Sequence, residues 1–355
     1  MTRLSKAPAS YGVSYQGSKN KIAAEVVYNL PSAPLLIDVF AGGGAITHAA
    51  LLSHRFSSIL ANDYDCGALQ LFYRASHGLI DFEEERKRWV SREDFERLKD
   101  TDPIVRYHWS FSNGGRNYSY SKEIEPYKRA YHFARNCNDR TEWNAIGLEK
   151  FEPTRLSIRD HAEEIKDIYI RWWLKHNCYE VEIEALKLRK SLGSLENLQS
   201  LQSLQSLQRL QRLQSLQSLE SLERLQSLTI SKADYKDIFV SEPTTVIYCD
   251  PPYINCDPRI YKDAIRESGF NHAEFYDWCE AQKGLVVLSE YTVPADRFTC
   301  VWSKEKRVLA GGAKWQITKV ERLFVVKGHE DDYWDLMAAH KPSTLFDQDQ
   351  RQAMI

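Results

Sequence analysis

The stretch Leu35-Leu36-Ile37-Asp38-Val39-Phe40-Ala41-Gly42-Gly43-Gly44 limits the possible fold more than any other in the chain. Leu36 to Val39 predict a parallel strand, the glycines allow a tight turn, and Ile46 to Leu52 predict the helix that follows. A strand, a glycine turn and a helix in that order belong to an open α/β sheet, with ligand chemistry at the strand's carboxyl end. The loop is of nucleotide type, but it lacks the GxGxxG spacing of dinucleotide enzymes and no phosphate-binding Lys-Ser/Thr follows it. Hydride transfer and nucleoside triphosphate hydrolysis are therefore poor fits. With 355 residues and 43% hydrophobic content, the chain is long enough for two domains around a sizeable core.

A second strand-to-turn junction lies far along the chain, at Val246-Ile247-Tyr248-Cys249-Asp250-Pro251-Pro252-Tyr253. The apolar, β-branched run predicts a short buried strand, and the two prolines end it because they remove backbone donors and fix φ. The turn offers one carboxylate, backbone carbonyls outside any ladder, and one aromatic ring. Those groups suit the grip of an exocyclic amino group on a flat base. The amino lone pair is delocalised into the ring, so the nitrogen is a poor nucleophile until acceptors draw its hydrogens out of plane. Asp250 and the Pro251 carbonyl can be those acceptors, and Tyr253 can stack on an extruded base.

Two further stretches extend the reading. Ser58 to Asp63 predict a second strand ending in an acid, the group that can take both hydroxyls of a ribose. Between Arg106 and Arg140, seven Lys/Arg face three Asp/Glu, interleaved with Tyr107, Trp109, Phe111, Tyr118, Tyr120, Tyr127, Tyr131 and Phe133. Basic residues for phosphates with aromatics for stacking predict a DNA surface; the alternative is a solvated face over an aromatic core. Within it, Asn113-Gly114-Gly115-Arg116-Asn117-Tyr118 predicts a hairpin or loop tip whose Arg, Asn and Tyr can reach base edges. The formal net charge of −2 means that any such surface is local.

Together these residues carry a resemblance. The Asp-Pro-Pro-Tyr turn at 250–253 is similar to that of the S-adenosylmethionine-dependent amino methyltransferases. Residues 38–44 resemble the Asp-x-Phe-x-Gly-x-Gly cofactor loop of DNA adenine methyltransferases. The motif order, cofactor half, recognition region, catalytic half, resembles the Dam-type (group alpha) DNA adenine-N6 methyltransferases of phage and bacteria over roughly residues 11 to 328, the leucine repeat excepted. The resemblance implies an α/β fold with a Rossmann-like, mostly parallel seven-stranded methyltransferase sheet and an inserted target-recognition domain. It implies Asp250, Pro251, Pro252 and Tyr253 as the catalytic turn, and S-adenosylmethionine held by Tyr15, Lys19, Asp38, Phe40, Gly42, Gly44, Asp63 and Asp234. Lys19 also stands at a predicted helix start, which suits a carboxylate. Segments similar to 110–114 and 122–126 occur in the family's recognition region, so Lys122 joins Asn113, Arg116, Asn117 and Tyr118 as expected contacts to double-stranded DNA. No metal and no covalent intermediate are required.

The division expected is 1–66 and 229–330 for the catalytic domain, 67–190 for the recognition domain, 191–228 for a leucine repeat and 331–355 for a polar tail. From Leu192 to Leu228 every third residue is Leu, thirteen in all. A strict three-residue repeat winds its leucines around an α-helix, whereas a 3₁₀ helix or a stacked solenoid would align them. An expanded insertion is the reading preferred to a partner-binding surface. Further on, 228–230 predict a strand, 270–282 a helix and 285–291 a buried strand; 298–302 and 321–326 predict an antiparallel pair around a basic loop, 304–314. Seven cysteines without a CxxC pair indicate neither zinc nor disulfides. No stretch is apolar enough to span a membrane, and a cytoplasmic protein is expected. Cytosine-N4 transfer and methylation of a protein glutamine share the Pro-Pro-Tyr chemistry and remain the rival activities at this stage.

Overall fold

This computed structural model describes residues 11–13, 18–65, 67–111, 114–176, 219, 227–253, 270–309 and 316–339. Tyr15, Asn113, nearly all of the leucine repeat and the tail beyond 339 lie outside the described residues. The chain divides into two compact units, Met1–Gly78 with Leu219–Ile355, and Leu79–Ser218.

The first unit holds seven strands: β1 Ala33–Asp38, β2 Phe56–Asn62, β3 Ser227–Ser231, β4 Thr245–Cys249, β5 Leu285–Glu290, β6 Phe298–Leu309 and β7 Gln316–Val326. Their order across the sheet is β3-β2-β1-β4-β5-β7-β6. The first five run parallel, and β7 is antiparallel to both β5 and β6. The fold is thus the mostly parallel, seven-stranded α/β sheet expected from the sequence. Parallel strands are covered on both faces and read as near-continuous apolar runs, and β4 and β5 are buried at every position. Strand order reverses between β1 and β4, which lie side by side with Asp38 in register with Tyr248. Ligands of open α/β sheets bind outside the strand ends at such a switch point.

Helices α1 Ala23–Tyr28, α2 Ala45–Ser53 and α3 Gly67–Ser76 pack in this unit. Gly44 caps α2 in the left-handed region at φ 71°, where a Cβ would come within 2.8 Å of the Phe72 ring. Only glycine fits both constraints. Arg55, from the start of the β2 segment, donates to the carbonyls of Val27, Tyr28 and Leu30 and so closes the end of α1. The division after Gly78 assigns α3 to the sheet, whereas the sequence reading began the insertion at residue 67. The β6–β7 ladder runs from Phe298↔Val326 to Leu309↔Gln316. Most of the segment read as a basic loop at 304–314 is therefore strand, because its backbone donors and acceptors pair across the hairpin.

The second unit contains α4 Phe82–Lys87, α5 Arg92–Leu98, α6 Pro103–His108, α7 Glu125–Asn136, α8 Thr141–Ala145, α9 Arg155–Asp160 and α10 Ala162–His176. These short helices begin on local caps: Asp81, Ser91, Asp102 and Thr154 each accept backbone N–H groups of the first turn. Tyr127, Tyr131, Trp143, Tyr169 and Trp173 form one core, and Val90, Phe95, Val105, Trp109, Tyr118 and Tyr120 another. Back in the first unit, α11 His272–Ala281 and α12 Glu330–Ala338 complete the described helices. Among the described residues, no helix is long and apolar enough to cross a membrane.

Candidate active site

The carboxyl ends of β1, β2 and β4 bring three acids toward one edge of the sheet. Asp38 closes β1 and is 1% exposed. Its Oδ2 accepts from the Thr47 hydroxyl at 2.7 Å, while Oδ1 is buried with no hydrogen-bond partner among the described residues. Burial, with Asp250 and Asp63 nearby, pushes its carboxyl up to about 7. A buried acceptor left open in this way fits a donor supplied by a ligand. Asp63 follows β2: its Oδ2 accepts the Gly42 N–H and its Oδ1 the Asp65 N–H, both at 2.9 Å. The glycine loop is thereby tied to the acid at the tip of the neighbouring strand.

Two residues not singled out in the sequence fix that loop. Asn62 is buried; its amide donates to the carbonyls of Val39 at 3.0 Å and Ala233 at 3.1 Å. Its oxygen accepts from the Ser231 hydroxyl at 2.6 Å and the Ala233 N–H at 3.0 Å. One side chain therefore joins the ends of β1, β2 and β3. His48, on α2, accepts the Gly12 N–H on Nδ1 at 3.0 Å, and burial lowers its pKa to about 4. The ring stays neutral and carries its proton on Nε2. Gly12, at φ 64°, lies so close to the loop that a Cβ there would sit 2.5 Å from the Gly43 carbonyl. A preceding Asn and a helical His give no local sequence signal for these tasks.

The Asp-Pro-Pro-Tyr turn follows β4, the neighbour of the strand that leads into the glycine loop. Lys19 Nζ pairs with Asp250 Oδ1 at 2.8 Å and with Glu321 Oε1 at 3.0 Å. It also donates to the Tyr253 hydroxyl and stands 4.6 Å from that ring's centre. The Tyr253 hydroxyl donates to Glu321 at 2.6 Å, and Ser289 donates to the same oxygen at 3.1 Å. Tyr253 meets Tyr291 edge to face, with ring centres 4.6 Å apart. Burial raises the Asp250 carboxyl against the pull of Lys19, whereas Lys19 and the hydroxyls of Tyr253 and Ser289 hold Glu321 below its usual range despite burial. His272 Nε2 lies 2.8 Å from the Pro252 carbonyl and pins the turn. Glu321, Ser289 and His272 were not legible as site residues, since each sits in an ordinary strand or helix start.

Phe40 packs among Tyr235, Phe270 and Phe275, at 5.8, 5.9 and 5.5 Å between ring centres. Asp234 caps the short turn Tyr235–Asp237 by accepting the Lys236 N–H at 3.1 Å.

In the second unit, the expected hairpin exists. Ser110 and Tyr118 form an antiparallel bridge, and the Phe111 N–H donates to the Asn117 carbonyl at 2.8 Å. Arg116, Asn117 and Lys122 are exposed, as is Phe111 at 56%. Tyr118 is not presented at the tip, contrary to the sequence reading. It is buried, donates its hydroxyl to the Val90 carbonyl at 2.7 Å, and packs edge to face on Tyr120. Tyr107, Trp109, Tyr120, Tyr127 and Tyr131 are buried as well. Most of the aromatic series is core, because rings spaced along short amphipathic helices are drawn inward by the apolar area they bury.

The family of D12 class N6 adenine-specific DNA methyltransferases matches residues 15–274, a span that holds both the glycine loop and the Asp-Pro-Pro-Tyr turn. The chain belongs to that family. Its reaction is N6 methylation of adenine in DNA, which sets aside N4 of cytosine and the amide of a protein glutamine. Among solved structures, an rRNA methyltransferase, AviRa from Streptomyces viridochromogenes, is similar at 12% identity and a TM-score of 0.31, with 94% of each chain covered. None of the curated proteins matches the chain. As a D12 class adenine methyltransferase it needs a methyl donor and a DNA substrate. Among the described residues, no group of His, Cys, Asp and Glu could hold a metal ion.

Proposed function

We propose that this D12 class enzyme methylates a specific site in duplex DNA in the cytoplasm, with S-adenosylmethionine held at the switch point and the target adenine extruded onto Asp250. The observation that carries the proposal is the adjacency of β1 and β4, with Asp38 opposite Tyr248 and the Val39 N–H on the Tyr248 carbonyl at 3.0 Å. The two motifs, 212 positions apart in sequence, are thus neighbours at one end of the sheet.

On this reading the glycine loop around Gly42 and Gly44 lies against the donor, with Asp63 on its ribose. The open Oδ1 of Asp38 takes a donor group from its amino-acid end, the part of the donor also assigned to Tyr15 and Lys19. Phe40 and Asp234 flank its adenine. When bound, S-adenosylmethionine supplies an activated methyl group on a sulfonium. The protein's own work is then positioning and preorganised acceptors. Asp250 and the Pro251 carbonyl accept the hydrogens of the adenine amino group, and Pro252 keeps the turn stiff. The Tyr253 ring provides the face on which the base rests. Arg116 and Asn117 serve DNA contact from the hairpin of the second unit, and Lys122 and Asn113 are assigned to the same contact; Tyr118 has no part in it.

Replacing Asp250 by Ala tests the assignment. N6-methyladenine, measured by nucleoside analysis of treated DNA, is expected to vanish, while calorimetry shows donor affinity within about 3-fold of wild type. Retained turnover would remove Asp250 from the role given to it.

A further inference from the structure

The site contains one more carboxylate than the transfer requires. Glu321 is 5% exposed, and a single oxygen of it receives three donors: the Lys19 ammonium, the Tyr253 hydroxyl and the Ser289 hydroxyl. Asp250, by contrast, keeps 19% of its side chain open while it shares the Lys19 ammonium and lies within hydrogen-bonding reach of Tyr253. We infer that Glu321 is a positioning residue for the methyl transfer, holding Lys19 and the Tyr253 hydroxyl so that Asp250 keeps its negative charge for the target amino group. The inference rests on the assignment of Asp250 to that group.

The charge arithmetic gives the reason. One ammonium between two carboxylates leaves the cluster with one net negative charge. Without Glu321, Lys19 and Asp250 would neutralise one another, and Asp250 would be a poorer acceptor just where positive charge develops on the amino nitrogen. An ammonium 2.8 Å from Asp250 also repels that developing charge unless another anion compensates it. Geometry adds to charge: Glu321 stands on β7 and Ser289 on β5, paired strands of the rigid sheet, with Ser289 in register with Leu323. Their hold on the Tyr253 hydroxyl fixes the ring that faces the base. Lys19 reaches Glu321 across 302 positions of sequence.

The titratable groups facing Lys19 are Asp250, Tyr253 and Glu321, with Tyr248, Cys249 and Asp38 behind Asp250. Burial holds Tyr248, Tyr253 and Cys249 un-ionised well into alkaline conditions. Two carboxylates keep Lys19 charged in spite of its burial. With Glu321 neutral, only Asp250 opposes the desolvation, and the ammonium loses its proton at lower pH.

The test is single-turnover methylation of DNA by the full chain as a function of pH, with donor affinity measured by calorimetry. Wild type is expected to be flat between about pH 8 and pH 10, while Glu321→Gln is at least about 10-fold slower at neutral pH and climbs over that range as Lys19 releases Asp250. Donor affinity stays within about 3-fold. Glu321→Asp keeps the charge and is expected to keep the flat profile, whatever its amplitude. Four results overturn the inference: a Glu321→Gln rate equal to wild type, a reduced rate with an unchanged profile, a parallel loss of donor affinity, or a climbing profile in Glu321→Asp. The last applies even where Glu321→Gln does not fold. Asp250→Ala is run alongside: activity there removes the underlying assignment, and with it this inference, whereas inactivity there with a flat Glu321→Gln profile removes this inference alone.

Discussion

Replacing Asp38 by Asn should make the catalytic sheet more stable at alkaline pH and leave it little changed in acid. The carboxyl is 1% exposed, has one open oxygen, and is raised from 3.8 to about 7 chiefly by burial, then by Asp250 and Asp63. A carboxyl whose folded value lies above its unfolded value favours folding most below about pH 4, and that advantage fades as pH rises to about 7. At about 1.4 kcal/mol for each pH unit, the full loss is about 4 kcal/mol, of which about 3 kcal/mol falls between pH 5 and pH 8. Asn keeps an oxygen for Thr47 and has no charge to bury. Amide exchange in β1 and β4, which reports on this unit alone, should therefore show Asp38→Asn gaining about 3 kcal/mol on wild type over that interval. The same carboxyl predicts proton release on donor binding. At pH 7 it is about half ionised, so drawing it fully into the anion should free about half a proton, read by calorimetry in buffers of different ionisation enthalpy. An equal pH dependence in the two proteins, with no proton released by wild type, would refute the reasoning.

Two further outcomes follow from the hydrogen bonding. Asn62→Ala removes four bonds in a buried setting and leaves the carbonyls of Val39 and Ala233 without that donor; a loss of about 2–4 kcal/mol in denaturant unfolding is expected, with donor affinity falling as the glycine loop loosens. Tyr118→Phe deletes the hydroxyl that bonds the Val90 carbonyl, so about 1 kcal/mol of stability should go while DNA affinity, measured by fluorescence anisotropy at fixed salt, stays unchanged. A large drop in DNA affinity would return Tyr118 to the surface role the sequence suggested.

The catalytic sheet was legible because its information is local. A strand followed by glycines, an acid closing the next strand and a strand ended by two prolines each declare themselves within ten residues, and helices near 45–53 and 272–281 followed from apolar spacing. The seven strands and the adjacency of Asp38 and Asp250 required the family resemblance to assemble those pieces. What stayed hidden depends on distant partners. Glu321 gains its meaning only from Lys19, Tyr253 and Ser289, and nothing in Lys-Val-Glu-Arg-Leu distinguishes it from a solvated strand residue. Tyr118 misled for the opposite reason: composition records that aromatics and bases alternate, but which of them turns inward is decided by packing against Val90 and Phe95. The long β6–β7 ladder was missed because charge suggested a loop, whereas cross-strand pairing satisfies the backbone whatever the side chains.

The place of the insertion explains how so long a segment can interrupt an enzyme. The second unit and the leucine repeat enter between β2 and β3, and β3 is the edge strand, paired among the described residues with β2 alone. Leu228, the last leucine of the repeat, already lies in that strand opposite Ile59. An edge strand needs one correct neighbour, so a long insertion before it threatens its register far more than it threatens β1 or β4. Asn62 answers that threat: by bonding Ser231 at the end of β3, Ala233 beyond it and Val39 beyond β1, it ties the returning chain to the strand that bears the glycine loop. The entropic cost of closing a longer loop grows only with the logarithm of its length. Recognition segments and repeats can therefore lengthen between β2 and β3 while the β1–β4 switch point, where the chemistry is proposed to reside, keeps its geometry.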